Sequence, residues 1–193
     1  MQPYDPLDYG NLAKSVVQAL LGGPDEPLPP REMFEGSGVY AIYYHGDFPG
    51  YLPLVKAAEA LPIYVGKAVP QGARKGGRRV LGGRELFKRL REHSESIEQV
   101  QNLELKDFTC RYLVVVPVWI TLAERFLVEH YQPVWNVAID GFGNHVPGAG
   151  RKGTKRPRWD ILHPGRPWAD KLEPQESFEG VLTRLRQSLA RRT

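Results

Sequence analysis

Residues 38–44 read Gly-Val-Tyr-Ala-Ile-Tyr-Tyr, and residues 63–67 read Ile-Tyr-Val-Gly-Lys. Both runs are rich in β-branched and aromatic residues, which pack well on a pleated surface, so each predicts a strand. The connection between them is too long for a tight hairpin and holds a short helical stretch around Val55 to Leu61. A third run, Phe108 to Val116, is almost continuously apolar and suits the centre of a sheet. Apolar residues recur at helical spacing in Asn11 to Leu21, Glu85 to Ile97, Leu122 to Tyr131 and Glu176 to about Ala190. Gly22-Gly23 closes the first of these helices and Pro133 the third. The expected fold is α+β: a small antiparallel three-stranded central sheet flanked by helices. The whole chain reads as one domain, with an N-terminal helical extension (1–35), a core (36–137) and a loop plus C-terminal helix (138–193). Pro24 to Pro30 reads as a linker. Asp140 to Trp168 reads as an ordered loop, because Phe142, Trp159, Ile161 and Trp168 offer it apolar anchors.

Composition narrows the function classes. The chain has 193 residues, 41% of them hydrophobic, enough for one sizeable core. It has no apolar run near the roughly eighteen residues that span a bilayer, and its start lacks the basic-then-apolar order of a signal peptide. A soluble, cytoplasmic protein with no membrane partner is expected. Its one cysteine, Cys110, lies inside an apolar strand, which excludes a disulfide framework or a thiolate-cluster zinc site. The formal net charge of +4 is unevenly spread. Lys67, Arg74, Lys75, Arg78, Arg79, Arg84, Lys88, Arg89 and Arg91 are opposed by Glu85 alone. A second basic run contains Arg151, Lys152, Lys155, Arg156, Arg158 and Arg166 against Asp160. Lys and Arg interleaved with Gly suit a phosphate backbone, since small residues allow close approach while the charges release condensed counterions. The same runs also fit solvated surface loops, and two of them together point toward nucleic acid.

Helical geometry then selects chemistry. With Leu86 at the origin of a wheel of about 100° per residue, Leu90, Ile97 and His93 share one face and Arg89 lies on its flank, while Lys88, Arg91, Glu92 and Glu95 point away. An imidazole and a guanidinium therefore aim inward one turn apart. Each also fits an ordinary structural role, a hydrogen-bonded core histidine and a snorkelling arginine. Glu124 lies with Leu127, Val128 and Tyr131 on the buried side of the next helix. Thr121-x-x-Glu124 also fits a capping box, which would commit that carboxylate to the helix N-terminus.

Gly38-Val39-Tyr40 and Tyr64-Val65-Gly66, followed in order by Arg89, His93, Glu124 and Pro133-Val134-Trp135-Asn136, resemble the signature of the GIY-YIG nuclease superfamily, with Val in place of each Ile. The resemblance covers roughly Gly38 to Asn136. Ile63 to Ala68 and Asp140-Gly141-Phe142-Gly143-Asn144-His145 further resemble a small group of type II restriction enzymes within it. The spacer between the tripeptides is longer than in most members, although that group also carries an insertion there.

The resemblance implies hydrolysis of double-stranded DNA at a short GC-rich palindrome of the CCGCGG type. Tyr40, Tyr64, Arg89, His93, Glu124, Lys67 and Asn136 would form the site, and Glu124 would hold one Mg²⁺ or another divalent cation such as Mn²⁺. Tyr40 is the implied general base. A free phenol, with a pKa of about 10, needs help to act near neutrality: His93 as proton acceptor, or Lys67 or the metal as a nearby charge. Asn136 is expected to brace the loop behind Glu124. DNA contacts are expected from Lys67, Arg74, Lys75, Arg78 and Arg79, and from Asn144, His145, Arg151, Lys152 and Arg156 within the segment Gly143 to Arg158. Cutting both strands of a palindrome implies a homodimer, and the restriction context implies a cognate DNA methyltransferase in the same cell, not as a bound subunit.

Other readings compete. Pro24-Asp25 and Glu104-Leu105-Lys106 spell a PD-(D/E)xK pattern, at wide separation. A non-catalytic DNA-binding module accounts for the charge but gives no reason for Arg89, His93 and Glu124 to face inward. A homing or repair nuclease of the same superfamily would usually carry a further DNA-binding domain.

Overall fold

The computed structural model describes residues 8–70, 83–144 and 153–191. Strand β2 (Gly38–Tyr44) forms where the sequence places it, and all seven of its residues are buried. It pairs antiparallel with β3 (Tyr64–Ala68) on one side and β4 (Phe108–Val114) on the other. Among the described residues the sheet has four strands, not three, in the order β1-β4-β2-β3. The extra strand, β1 (Glu26–Pro27), lies inside the expected linker and pairs with Thr109 and Cys110. Two residues carry no periodicity to betray a strand, and proline is tolerated there because the edge needs no second set of donors.

Side-chain alternation along β2 divides the interior. Tyr40, Ile42 and Tyr44 face Leu86, Leu90 and Ile97 of α3 (Glu85–Glu98), together with Trp135, Phe142 and Trp159. That cluster also takes in Val181, Leu185 and Leu189 of the C-terminal helix α7 (Phe178–Ala190). Val39, Ala41 and Tyr43 face the opposite way, onto Val17 and Leu20 of α1 (Tyr9–Leu21) and Ile120, Ala123 and Leu127 of α4 (Pro117–Tyr131). The segments outside 36–137 thus pack directly on the sheet.

Three expectations shift. The helix between β2 and β3 comes earlier, as a 3-10 turn (Pro49–Tyr51) running into α2 (Leu52–Val55), because the prolines at 49 and 53 preset helical φ in the first turns. Helix α4 begins at Pro117 rather than Leu122. Thr121 therefore lies inside the helix, no capping box forms, and Glu124 is free of the cap. Within the expected loop, Arg158–Leu162 forms a short helix, α6, with Trp159 fully buried.

The core also holds a polar chain. Trp135 Nε1 donates to Tyr51 Oη at 2.8 Å, and the Tyr51 hydroxyl donates to His163 Nε2. His163 Nδ1 donates to Asn102 Oδ1 at 2.9 Å, and Asn102 Nδ2 to the Leu162 carbonyl at 2.9 Å. The last bond orients the amide, which in turn assigns the imidazole proton to Nδ1. Burial pulls the pKa of His163 down to about 3, so the ring is neutral.

Candidate active site

The β2–β3 register sets Ile42 opposite Tyr64 and Tyr40 opposite Gly66. Tyr40 and Tyr64 consequently share a face, with ring centroids 6.2 Å apart. Gly66 is needed here, because a Cβ on it would lie 2.3 Å from the Tyr40 hydroxyl oxygen. Helix α3 crosses this face and brings His93 Nε2 to 2.6 Å from Tyr40 Oη. Both residues are buried.

Arg89, one turn earlier, reaches the same hydroxyls from the rim. Its Nη1 donates to Glu92 at 2.7 Å and its Nη2 to the Gly143 carbonyl at 2.8 Å. Burial drives the Tyr40 phenol well above its ordinary pKa; Tyr64 adds to the rise, and the charge of Arg89 opposes it. Tyr64 is raised too, first by burial, with Arg89 again opposing and Glu124 contributing. The Tyr40 hydroxyl is therefore protonated near neutrality, within hydrogen-bond reach of Nε2 of His93. Phe142 completes the pocket, stacked on the His93 ring at 4.5 Å and 17° and set edgewise to Tyr64 at 5.0 Å.

Lys67 and Glu124 lie across the edge of the sheet from this cluster. Lys67 is three residues from Tyr64, so alternation sends its side chain to the α4 face, where Nζ meets Glu124 Oε2 at 2.6 Å. The Lys67 ammonium is thus directed at Glu124, and Arg89 is a cation whose charge opposes the rise of the Tyr40 phenol. Because β3 is the edge strand, the pair is only about two-thirds buried, and the Glu124 charge is still felt by both tyrosines. Asn136 bonds to the backbone of β3. Its Oδ1 accepts from Val65 N at 2.9 Å and its Nδ2 donates to Val65 O at 2.8 Å, closing the free edge of β3. With both ends of its amide engaged, it is a positioning residue rather than a catalytic one.

A divalent cation fits this donor set in one way. Among the described residues no three metal-ligating groups cluster, so a closed protein cage is not formed. A single half-buried carboxylate that already holds a cationic ammonium suits Mg²⁺, which keeps several waters and completes its shell with substrate phosphate oxygens.

The expected DNA contacts fare unevenly. Arg74, Lys75, Arg78, Arg79, His145, Arg151 and Lys152 lie outside the described residues. Asn144 is exposed at the end of its segment. Arg156 is turned inward, donating to the carbonyls of Ala169, Leu172 and Asp170, and Arg158 pairs with Asp140 and Glu176. Both hold the loop together instead of reading bases. The PD-(D/E)xK residues form no buried site: Asp25 faces Arg111 at 4.0 Å, and Glu104 and Lys106 pair with each other on the exposed surface. The sequence reading missed Arg166 and Asp160, both buried, and the carbonyl of Gly143 as the partner of Arg89.

The site is thus a buried tyrosine–histidine pair flanked by a second tyrosine and an arginine. On a β2–β3 ribbon it defines a nuclease of the GIY-YIG class, and the glycine of the second tripeptide has its reason in the Tyr40 hydroxyl that passes over it. The model of the Eco29kI GIY-YIG domain matches residues 32–189, and the chain belongs to that family of restriction-type endonucleases. No curated protein matches the chain. Nucleases of this class generally depend on a divalent cation. Among the described residues no helix is long and apolar enough to cross a membrane.

Proposed function

We propose that the protein is a type II restriction enzyme, hydrolysing phosphodiesters of double-stranded DNA at a short palindrome as a homodimer with one divalent cation, Mg²⁺ or Mn²⁺, in each site. The observation that carries this reading is the 2.6 Å contact between Tyr40 and His93 beside Arg89, with a cation-holding carboxylate, Glu124, across the sheet edge.

Arg89 binds the scissile phosphate through its planar fork, exchanging Glu92 for phosphate oxygens. Attack forms a bond from water oxygen to phosphorus and breaks the bond from phosphorus to O3′. The water proton passes to Tyr40 Oη as the proton of that hydroxyl moves to His93 Nε2, so the phenolate never has to persist in a buried site. Tyr64, the more accessible of the two tyrosines, orients the water or a non-bridging oxygen. Lys67 and Glu124 hold the edge of the phosphate site. Glu124 would hold the cation, which would supply positive charge against the negative charge that develops during cleavage. A GC-rich site of the CCGCGG type and a separate protecting methyltransferase complete the proposal.

The test is incubation with supercoiled plasmid in Mg²⁺ and in EDTA. Discrete linear fragments are expected only with metal, and neither Glu124→Ala nor Tyr40→Phe should produce them. Tight binding without cleavage by the unmodified protein would identify a DNA-binding module instead.

A further inference from the structure

Arg166 is a large, fully buried side chain that the proposed chemistry does not use. Its guanidinium has five N–H groups, and five acceptors surround it. Nε donates to Asp160 Oδ1 at 2.6 Å, and Nη2 to Asp160 Oδ2 at 2.5 Å and the Gly141 carbonyl at 2.9 Å. Nη1 donates to the carbonyls of Phe142 at 3.0 Å and Asn144 at 3.2 Å. Trp159 and Trp168 cover the guanidinium, with its central carbon 4.6 Å and 4.8 Å from their ring centroids. Buried ion pairs contribute little net stability, because desolvation consumes most of their attraction. What this one does contribute is geometry.

Residues 141–144 form one turn, closed by Asn144 N donating to Gly141 O at 3.0 Å. Arg166 takes three of its four carbonyls. The fourth, that of Gly143, points to the opposite side and accepts from Arg89 Nη2 at 2.8 Å. Two arginines therefore grip one turn from opposite sides, one in the core and one in the site. A Cβ on Gly143 would sit 2.7 Å from Tyr64 Oη, so the turn has little room to drift, and its Phe142 ring lies on His93.

We infer that Arg166 is a positioning residue for hydrolysis: by fixing the 141–144 turn it sets the Arg89 guanidinium and the His93 ring against the tyrosine hydroxyls. The inference rests on the nuclease reading. Lysine, with three donors on a single nitrogen, keeps the charge beside Asp160 but cannot hold three carbonyls together.

The experiment compares Arg166→Lys and the milder Trp168→Leu, which removes only the covering ring, in single-turnover cleavage with enzyme in excess. DNA affinity is measured alongside in Ca²⁺, and folding by circular dichroism. Displacing catalytic groups by about an ångström costs on the order of 100-fold in rate. Arg166→Lys should accordingly lose roughly 10- to 100-fold in cleavage rate and Trp168→Leu several-fold, with DNA affinity within about threefold of the unmodified protein. On an Arg89→Lys background, where the contact to Gly143 is already lost, both further losses should shrink to the part carried by Phe142 on the His93 ring. If Arg166→Lys does not fold, the Trp168→Leu cycle decides alone. A folded variant with an unchanged rate, or a loss of the same size on both backgrounds, overturns the inference. Absence of metal-dependent cleavage by the unmodified protein overturns the nuclease reading and the inference with it.

Discussion

Among the described residues two tyrosine–histidine pairs each join a phenol to the Nε2 of a buried imidazole, and the proposed chemistry gives them opposite work. Tyr51 and His163 lie in the centre of the core, where Trp135 and Asn102 take up the remaining hydrogen-bonding positions. Tyr40, on the inner strand β2, and His93 lie beside the edge strand β3, with Arg89 on one side and the charge of Glu124 within reach. The hydrogen bond is common to both. What separates a structural pair from a proton relay is the charge beside it and a path to the rim.

The largest expected effect comes from replacing each imidazole by an amide, which can still accept a hydrogen bond but cannot take a proton. His93→Gln should lower the cleavage rate by roughly 10²- to 10⁴-fold, the range for losing a general acid or base. His163→Gln should leave the rate within a few-fold while lowering the melting temperature. Equal losses of activity in the two variants would erase the distinction.

A smaller effect concerns pH. His163 has a pKa of about 3 in the fold, below the unfolded value near 6.5, so between these limits the unfolded chain binds a proton that the native one does not. Stability is thus complete above about pH 6.5 and falls with acid, by up to about 1.4 kcal/mol per pH unit from this one group. In denaturant melts of the unmodified protein and His163→Gln between pH 7 and 5, the pH dependence should differ by up to that slope, so the gap between the two closes as the pH falls. Parallel curves would show that His163 does not carry the acid sensitivity.

Much of this arrangement was legible in the sequence, for identifiable reasons. Strand β2 is a dense run of β-branched and aromatic residues, helix α3 is strongly periodic, and the wheel that turns Arg89 and His93 inward follows from helix geometry alone. The face that Lys67 takes is also legible, since an offset of three from Tyr64 in a strand means the opposite face. The start of α4 was hidden because Val118 and Trp119 are exposed apolar residues that break the expected stripe. Arg166 was out of reach, since it looks like one more charge in a basic run and three of its partners are backbone carbonyls, which carry no side-chain identity to read.

The central claim is that the Tyr40 hydroxyl serves chemistry whereas the Tyr51 hydroxyl serves the core. Single-turnover cleavage of a plasmid and thermal melts, measured side by side on Tyr40→Phe and Tyr51→Phe, test it most directly. The account predicts a rate loss of at least about 100-fold with a small change in melting temperature for the first. For the second it predicts a near-normal rate with roughly 1–3 kcal/mol of lost stability, as Trp135 and His163 lose their shared partner. A Tyr40→Phe protein that cuts DNA at the unmodified rate would contradict it.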